Sequence, residues 1–147
     1  MRRLAALAAL ASAACGRPAP VDMKDPASVT RGFVAAYNVR DLSRMLPLLD
    51  QINLDVVKGA LAGGAASEEY KSIFVPEMVE LLARDGGKVD QPRYERNDAI
   101  VRVGYPVDGD VYTIELGETK DGVWLIEAFS TMSEAAYLAL PTEPRKR

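Results

Sequence analysis

Few side chains in this 147-residue chain can do chemistry. There is no histidine, and the single cysteine is Cys15. Lack of histidine removes the usual proton carrier near neutral pH, Ser–His and Cys–His nucleophile pairs, and most zinc and non-haem iron sites. A lone cysteine leaves no disulfide framework and no CxxC metal site. Metal chemistry would have to rest on carboxylates, and no metal or cofactor signature is visible. The remaining candidates for proton transfer are Tyr37, Asp98, Glu115 and Glu127. Glu115 and Glu127 fall in a row with Arg102 on the polar face of the alternating segments described next. Neighbouring carboxylates raise one another's pKa and a guanidinium lowers it, so such a row could work as an acid–base site. The favoured reading is a solvated outer face with one cross-strand ion pair, worth a few tenths to about 1 kcal/mol.

The elements that would position these groups lie in Tyr94–Ser130, which reads as a three-strand antiparallel meander. Val89–Glu95 reads as an edge strand before it, because Pro92 cannot donate to a ladder. Asp108-Gly109 is a two-residue hairpin signal. It predicts the pairs Tyr105–Tyr112, Val103–Ile114, Val101–Leu116 and Arg102–Glu115. A three-residue loop at Lys120-Asp121-Gly122 predicts Leu116–Ile126 and Glu115–Glu127. One face is then wholly apolar: Val101, Val103, Tyr105, Tyr112, Ile114, Leu116, Trp124, Ile126 and Ala128. A one-residue slip would move Trp124 and Ile126 off it. Ile100, Val111, Val123, Leu125 and Phe129 share the charged outer face, so part of that face must be covered or used.

The preceding half reads as helical. Asp25-Pro26 is a capped start, with Asp supplying an acceptor and Pro at a position whose N–H would be orphaned. Val29, Phe33, Ala36 and Tyr37 then share one face, and Gly32 predicts close approach to a neighbour. Asp41 caps a short helix with Leu42, Met45 and Leu46 inward, ended by Pro47. A third helix is expected over Asn53–Ala62 with Leu54, Val57 and Leu61 inward. Ser67 caps a further segment carrying Tyr70, Ile73, Phe74, Met78, Leu81 and Leu82, split at Pro76 and closed by Gly86-Gly87. Ser133–Leu140 predicts a short tail helix with Tyr137, Leu138 and Leu140 inward.

The formal charge is -3; without Arg2 and Arg3 it becomes -5, with 16 basic residues against 21 acidic. An acidic domain is a poor match for nucleic acid. Met1-Arg2-Arg3 is a short positive start, and Leu4–Ala14 (LAALAALASAA) is an apolar run of eleven residues, against roughly 20 needed to span a bilayer. The pattern is that of a secretory leader. Its small residues directly before Cys15-Gly16 resemble the lipobox of bacterial lipoproteins, although Ser12 stands where that family has Leu. The resemblance implies acylation of Cys15, cleavage before it, and stable anchoring through several acyl chains. It places the protein in the bacterial cell envelope, on the periplasmic side of the outer membrane. The alternative is ordinary cleavage after Ala11-Ser12-Ala13, giving a soluble secreted or periplasmic protein. The expected organisation is a signal peptide over residues 1–14, a Pro-rich tether over 15–24, one α+β domain over 25–132, and a tail over 133–147.

The order of elements also resembles the nuclear transport factor two-like superfamily. The carrying residues are Phe33 and Tyr37 on the first helix, Asp41-Leu42 opening the second, Asp98-Ala99 before an alternating strand, and Asp121–Ile126 (DGVWLI). The family implies an α+β cone, N-terminal helices packed on a curved antiparallel sheet around a pocket. Pocket-lining candidates are Phe33, Tyr37, Val101, Val103, Tyr105, Tyr112, Ile114, Leu116, Trp124 and Ile126. The expectation is a non-catalytic domain binding a small apolar ligand or a protein partner, without cofactor or metal. A homodimer through Leu125 and Phe129 on the outer face is a further expectation. The alternative is an isomerase- or hydrolase-like enzyme using Tyr37, Asp98 and Glu115 or Glu127.

Overall fold

A computed structural model describes residues 17–84 and 87–145. The leader, Cys15 and Gly16, the first half of the Gly86-Gly87 stop, and the last two residues lie outside that range. The architecture is α+β, with helices and a four-stranded antiparallel open sheet. In chain order the helices are α1 (Pro26–Asn38), α2 (Leu42–Met45), α3 (Gln51–Gly63), α4 (Glu68–Ile73), α5 (Pro76–Ala83) and α6 (Glu134–Ala139). The strands are β1 (Arg93–Glu95), β2 (Asp98–Val107), β3 (Asp110–Glu118) and β4 (Trp124–Ser133), adjacent in sequence order.

Every α-helix except α5 starts where a side chain takes up an orphan N–H. The Asp25 carboxylate accepts from the Ala27 amide at 3.0 Å and Asp41 from that of Arg44 at 3.2 Å. Ser67 accepts from Tyr70 and Ser133 from Ala136, both at 3.2 Å. The start of α3 is Gln51 rather than Asn53, because Asp50 is its cap and accepts from the Asn53 amide at 3.0 Å. Pro47 sits in a 3-10 turn, Leu46–Leu48, that ends the second helical segment, and Pro76 opens α5. On α1, Val29, Phe33, Ala36 and Tyr37 are all buried as the spacing predicts. On α3, Val57 and Ala60 are buried and Leu54 packs against the core, while Leu61 is exposed.

The sheet register differs from the expected one at two bulges, and both have local causes. The pairs between β2 and β3 are Val103–Tyr112, Val101–Ile114, Arg102–Thr113 and Ile100–Glu115, two residues away from expectation. The turn at Asp108-Gly109 is where it should be, with Val107 opposite Asp110. Two extra β2 residues are absorbed between Val103 and Val107, where Gly104 has a φ of +69°. A Cβ on Gly104 would lie 3.0 Å from the Leu81 side chain of α5, so the glycine lets strand and helix touch. A shift of two keeps Val101, Val103, Ile114 and Leu116 on the inner face. It does not keep Tyr105, which lies on the bulge with its ring 40% exposed beside Lys88.

The second bulge lies in β4. Leu116 pairs with Ile126 as expected, but Glu115 pairs with Ala128 instead of Glu127. One extra residue, Glu127, inverts the rest of the strand. Phe129 then pairs with Ile114 and turns inward against Phe33, ring centroids 5.3 Å apart, while Ala128 turns outward. Phe129 therefore belongs to the helix-covered face and not to the outer surface. Pro92 also shortens the first strand: only Arg93–Glu95 is strand, with Val89 bridging Val103 in isolation.

The main core lies between the inner face and α1, α3 and α5, and includes Phe33, Ala99, Val101, Val103, Ile114, Leu116, Trp124 and Ile126. A fully buried side chain of this size contributes roughly 1.5–3 kcal/mol. A smaller cluster covers part of the outer face, where Tyr137 of α6 packs on Ile100 and Val111. Leu138, next along α6, is exposed instead of inward. Among the described residues no helix is long and apolar enough to cross a membrane.

Candidate functional site

The helices do not close completely over the inner face. A cleft of about 250 Å³ remains between α1, α2, α3, the α4–α5 junction and β4. Its position follows from local sequence. The α1 stripe brings Phe33 and Tyr37 to one wall, α3 brings Asn53, Val56 and Val57 to another, and the β4 bulge swings Phe129 over the top. Ile73, Val75 and Met78 complete it where Pro76 breaks the chain between α4 and α5. A mostly apolar hollow with few polar groups is the usual chemistry of a small-ligand site. A larger hollow of about 560 Å³ lies on the outer side, among Asp90, Arg93, Tyr94, Arg102 and Tyr137. Of its charged groups, Arg102 pairs with Asp90, Arg93 donates to the Leu138 and Leu140 carbonyls, and Asp25 caps α1, so chemistry and not size favours the inner cleft.

The ionisable group lining the cleft is Tyr37. Its hydroxyl donates to the Ile73 carbonyl at 2.7 Å, and its ring stacks at a tilt on Phe74, centroids 4.8 Å apart. Burial pushes its pKa up to about 12, opposed by the Arg40 guanidinium. A phenol held neutral, with its proton committed to a carbonyl, is a poor acid or base. The other polar linings are similarly occupied. Asn53 Nδ2 donates to Asp50 Oδ1 at 2.7 Å and to the Glu127 carbonyl at 2.9 Å, and Ser72 Oγ donates to the Glu69 carbonyl at 2.7 Å. The cleft therefore offers apolar contact and a few spare acceptor lone pairs.

The carboxylates singled out in the sequence lie elsewhere. Asp98 is exposed at the first position of β2. Glu115 is on the outer face of β3, where it accepts a 2.5 Å hydrogen bond from Ser130 Oγ. Glu127 is exposed on the bulge, and its carboxylate lies over Gly117, a position with no side chain to displace it. Partial desolvation, then Asp98, Asp50 and Glu115, holds the Glu127 carboxyl above its usual range. The sheet thus stands between Tyr37 and these three groups. The Arg102–Glu115 pair does not form, because the two-residue shift puts Arg102 opposite Thr113. Arg102 Nε instead donates to Asp90 at 2.6 Å and its NH1 nitrogen to Glu134 at 3.3 Å. Among the described residues no cluster of three or more His, Cys, Asp or Glu side chains could hold a metal ion.

Of the residues expected to line a pocket, Phe33 and Tyr37 line the cleft. Val101, Val103, Ile114, Leu116, Trp124 and Ile126 fill the core beneath it, and Tyr112 is half-buried at its margin. Met45, Leu49, Asn53, Val56, Ile73 and Phe129 are lining residues the sequence did not point to. For Phe129 there was a signal: Ile126 and Phe129 are three apart, a spacing that puts both large side chains on one face of a strand only across a bulge. No family model matches this chain, and no curated protein or solved structure matches it either.

Proposed function

We propose that this chain is an envelope-anchored lipoprotein whose α+β domain is a non-catalytic binding module, taking a small apolar ligand into the cleft bounded by Phe33, Tyr37, Val56 and Phe129. The observation that carries the reading is the chemistry of that cleft: its ionisable group, Tyr37, has its proton committed to the Ile73 carbonyl and its pKa pushed up to about 12. Each buried methylene of a ligand would contribute about 0.8 kcal/mol there. The separation of Tyr37 from Asp98, Glu115 and Glu127 supports binding over isomerase- or hydrolase-like catalysis. In the same reading the sheet is the wall of a nuclear transport factor two-like cone, which the packing of helices on one face supports. The anchor is Cys15, supported by the apolar leader, the small residues before the cysteine, and the Pro-rich stretch after it.

Two experiments test the two halves. Globomycin should accumulate unprocessed precursor, and Cys15→Ser should release the protein from the membrane fraction; unchanged processing and unchanged fractionation would refute the anchor. For the cleft, the probe is N-phenyl-1-naphthylamine. Its fluorescence should rise on binding the protein, fall on addition of dodecanol, and be lost in Val56→Asp, which places a carboxylate at the half-exposed rim. Full probe binding by a folded Val56→Asp protein would move the site elsewhere.

A further inference from the structure

We propose that the surface beside the tether is the membrane-facing surface of the domain, and that Arg31 and Arg44 there rest on the phosphates of anionic phospholipid headgroups. The proposal rests on the acylated anchor at Cys15 proposed above. What makes it possible is that the chain is fixed to the domain at Val21. A Cβ on Gly32 of α1 would lie 2.5 Å from a Val21 methyl, so Val21 occupies the notch that this glycine leaves. The next residues are held as well. The Asp22 amide donates to Ser28 Oγ at 2.9 Å, and the Met23 carbonyl accepts from the Trp124 amide at 2.9 Å. Five residues separate Val21 from Cys15, and the six steps between them, even fully extended, reach about 20 Å. Pro18 and Pro20 restrict that reach further. An anchored domain would therefore present the Val21 side of α1 to the bilayer.

That side carries the charge such a surface would need. A groove of about 370 Å³ runs between residues 18–21 and α1, with Arg31 on one wall and Arg44 of α2 on another, and none of its lining residues is acidic. Arg31 has an exposed ion pair with Asp25 at 3.5 Å, which solvent screens and a phosphate could replace. Arg17 precedes the groove directly. Guanidinium groups suit phosphate because their paired N–H donors match two oxygens. The chain as a whole is acidic, so this basic groove inverts the general sign, and an anionic surface would attract it while repelling the remainder. The cleft residues Phe33 and Tyr37 lie on the other side of α1, since residues 32 and 33 are a 100° step apart and 28, 32 and 35 share the tether side.

The test uses the acylated full-length chain in vesicles, with a cysteine introduced by Ala35→Cys in the groove or by Ser72→Cys in the cleft. Acylation consumes Cys15, so each introduced thiol is single. Maleimide labelling of Ala35→Cys should be at least about tenfold slower in phosphatidylglycerol vesicles than in phosphatidylcholine vesicles, from about fivefold per arginine. Ser72→Cys should label alike in both. Adding Arg31→Gln and Arg44→Gln should abolish the difference, and so should high salt. Equal labelling of Ala35→Cys in both vesicles, with the protein still floating on them, overturns the proposal and leaves the anchor standing. Protection by free inorganic phosphate in neutral vesicles would mark a phosphate site and overturn the membrane-facing reading. The mass of the Cys15 peptide decides the anchor separately. If it is unmodified, co-flotation of the chain with phosphatidylglycerol vesicles alone, lost on Arg31→Gln with Arg44→Gln, still supports the groove; no co-flotation refutes it.

Discussion

The two faces of the sheet bury aromatic side chains by opposite means. On the inner face, three helices cover a large apolar wall, and their polar groups are satisfied by main-chain carbonyls, as Tyr37 is by Ile73. Helix packing set by separate caps and prolines leaves a gap there, and that gap is the cleft. On the outer face a single six-residue helix, α6, covers the sheet by inserting one side chain, Tyr137, which is 1% exposed. Its hydroxyl donates to the Gln91 carbonyl at 3.2 Å, and the Arg93 and Arg102 guanidiniums lie over its ring at 5.2 and 5.3 Å. Arg102 is held in turn by Asp90 and Glu134. The directional network surrounds the plug with paired charges, and these line the outer hollow. The non-directional packing leaves an inner hollow without fixed charge, and that is where an apolar ligand can bind.

Substitutions should separate these faces, beginning with the plug. Tyr137→Ala removes a buried ring and leaves two cations without their π-face, at an expected cost of about 3–5 kcal/mol. Phe129→Ala, whose ring is 40% exposed over the cleft, should cost about 1 kcal/mol. Chemical denaturation of both variants measures this, and equal losses would erase the contrast between a buried plug and a half-exposed cleft wall.

Next in size is Tyr37→Phe, which keeps the ring but orphans the Ile73 carbonyl, at about 1 kcal/mol. One tyrosine of the native protein should ionise at about pH 12 by ultraviolet absorbance, and that step should be missing in the variant. Because the folded-state pKa is raised, the native protein favours the neutral phenol. Its contribution to stability is intact below the ordinary tyrosine pKa of about 10 and falls as pH rises towards about 12. The stability gap between Tyr37→Phe and the native protein should therefore narrow over that window.

The smallest effect belongs to the outer carboxylates. The folded Glu127 carboxyl is held above its ordinary range, so its charged form is disfavoured at neutral pH. Glu127→Gln should raise Tm by about 1–2 °C at pH 7, a shift kept small by solvent screening. The native protein should recover the difference as pH falls through the raised pKa to the ordinary carboxylate range, where both states are protonated. A Tm gain that persisted in acid would assign the effect to something other than charge.

How much of this was legible in the sequence depended on whether the deciding contact was local. The caps at Asp25, Asp41 and Ser67 and the turn at Asp108-Gly109 need only their immediate neighbours, and all are in place. The bulges are decided at a distance, by Leu81 meeting Gly104 and by Phe33 drawing Phe129 inward. Alternation alone therefore misplaced Tyr105, Ala128 and Phe129 while keeping the rest of the core face right. For the cleft, the α1 stripe pointed to Phe33 and Tyr37, whereas Asn53, Val56 and Ile73 become its neighbours only once three helices dock. Asp50 was passed over as a cap because the periodic apolar residues begin later, at Leu54.

The holding of Met23 and Asp50 has another consequence, for the edges of the sheet. In an open sheet the outermost strands expose main-chain groups that invite another chain to pair. Here Met23 takes the Trp124 amide, Asp50 donates to the Ile126 carbonyl, and Asn53 to that of Glu127, so the first half of β4 is already occupied. At the opposite edge the Pro141 carbonyl accepts from the Tyr94 amide at 2.8 Å. The segments flanking the sheet in sequence thus act as selvedges, covering the first half of β4 and the Tyr94 amide of β1 so that a neighbouring copy cannot pair at those points.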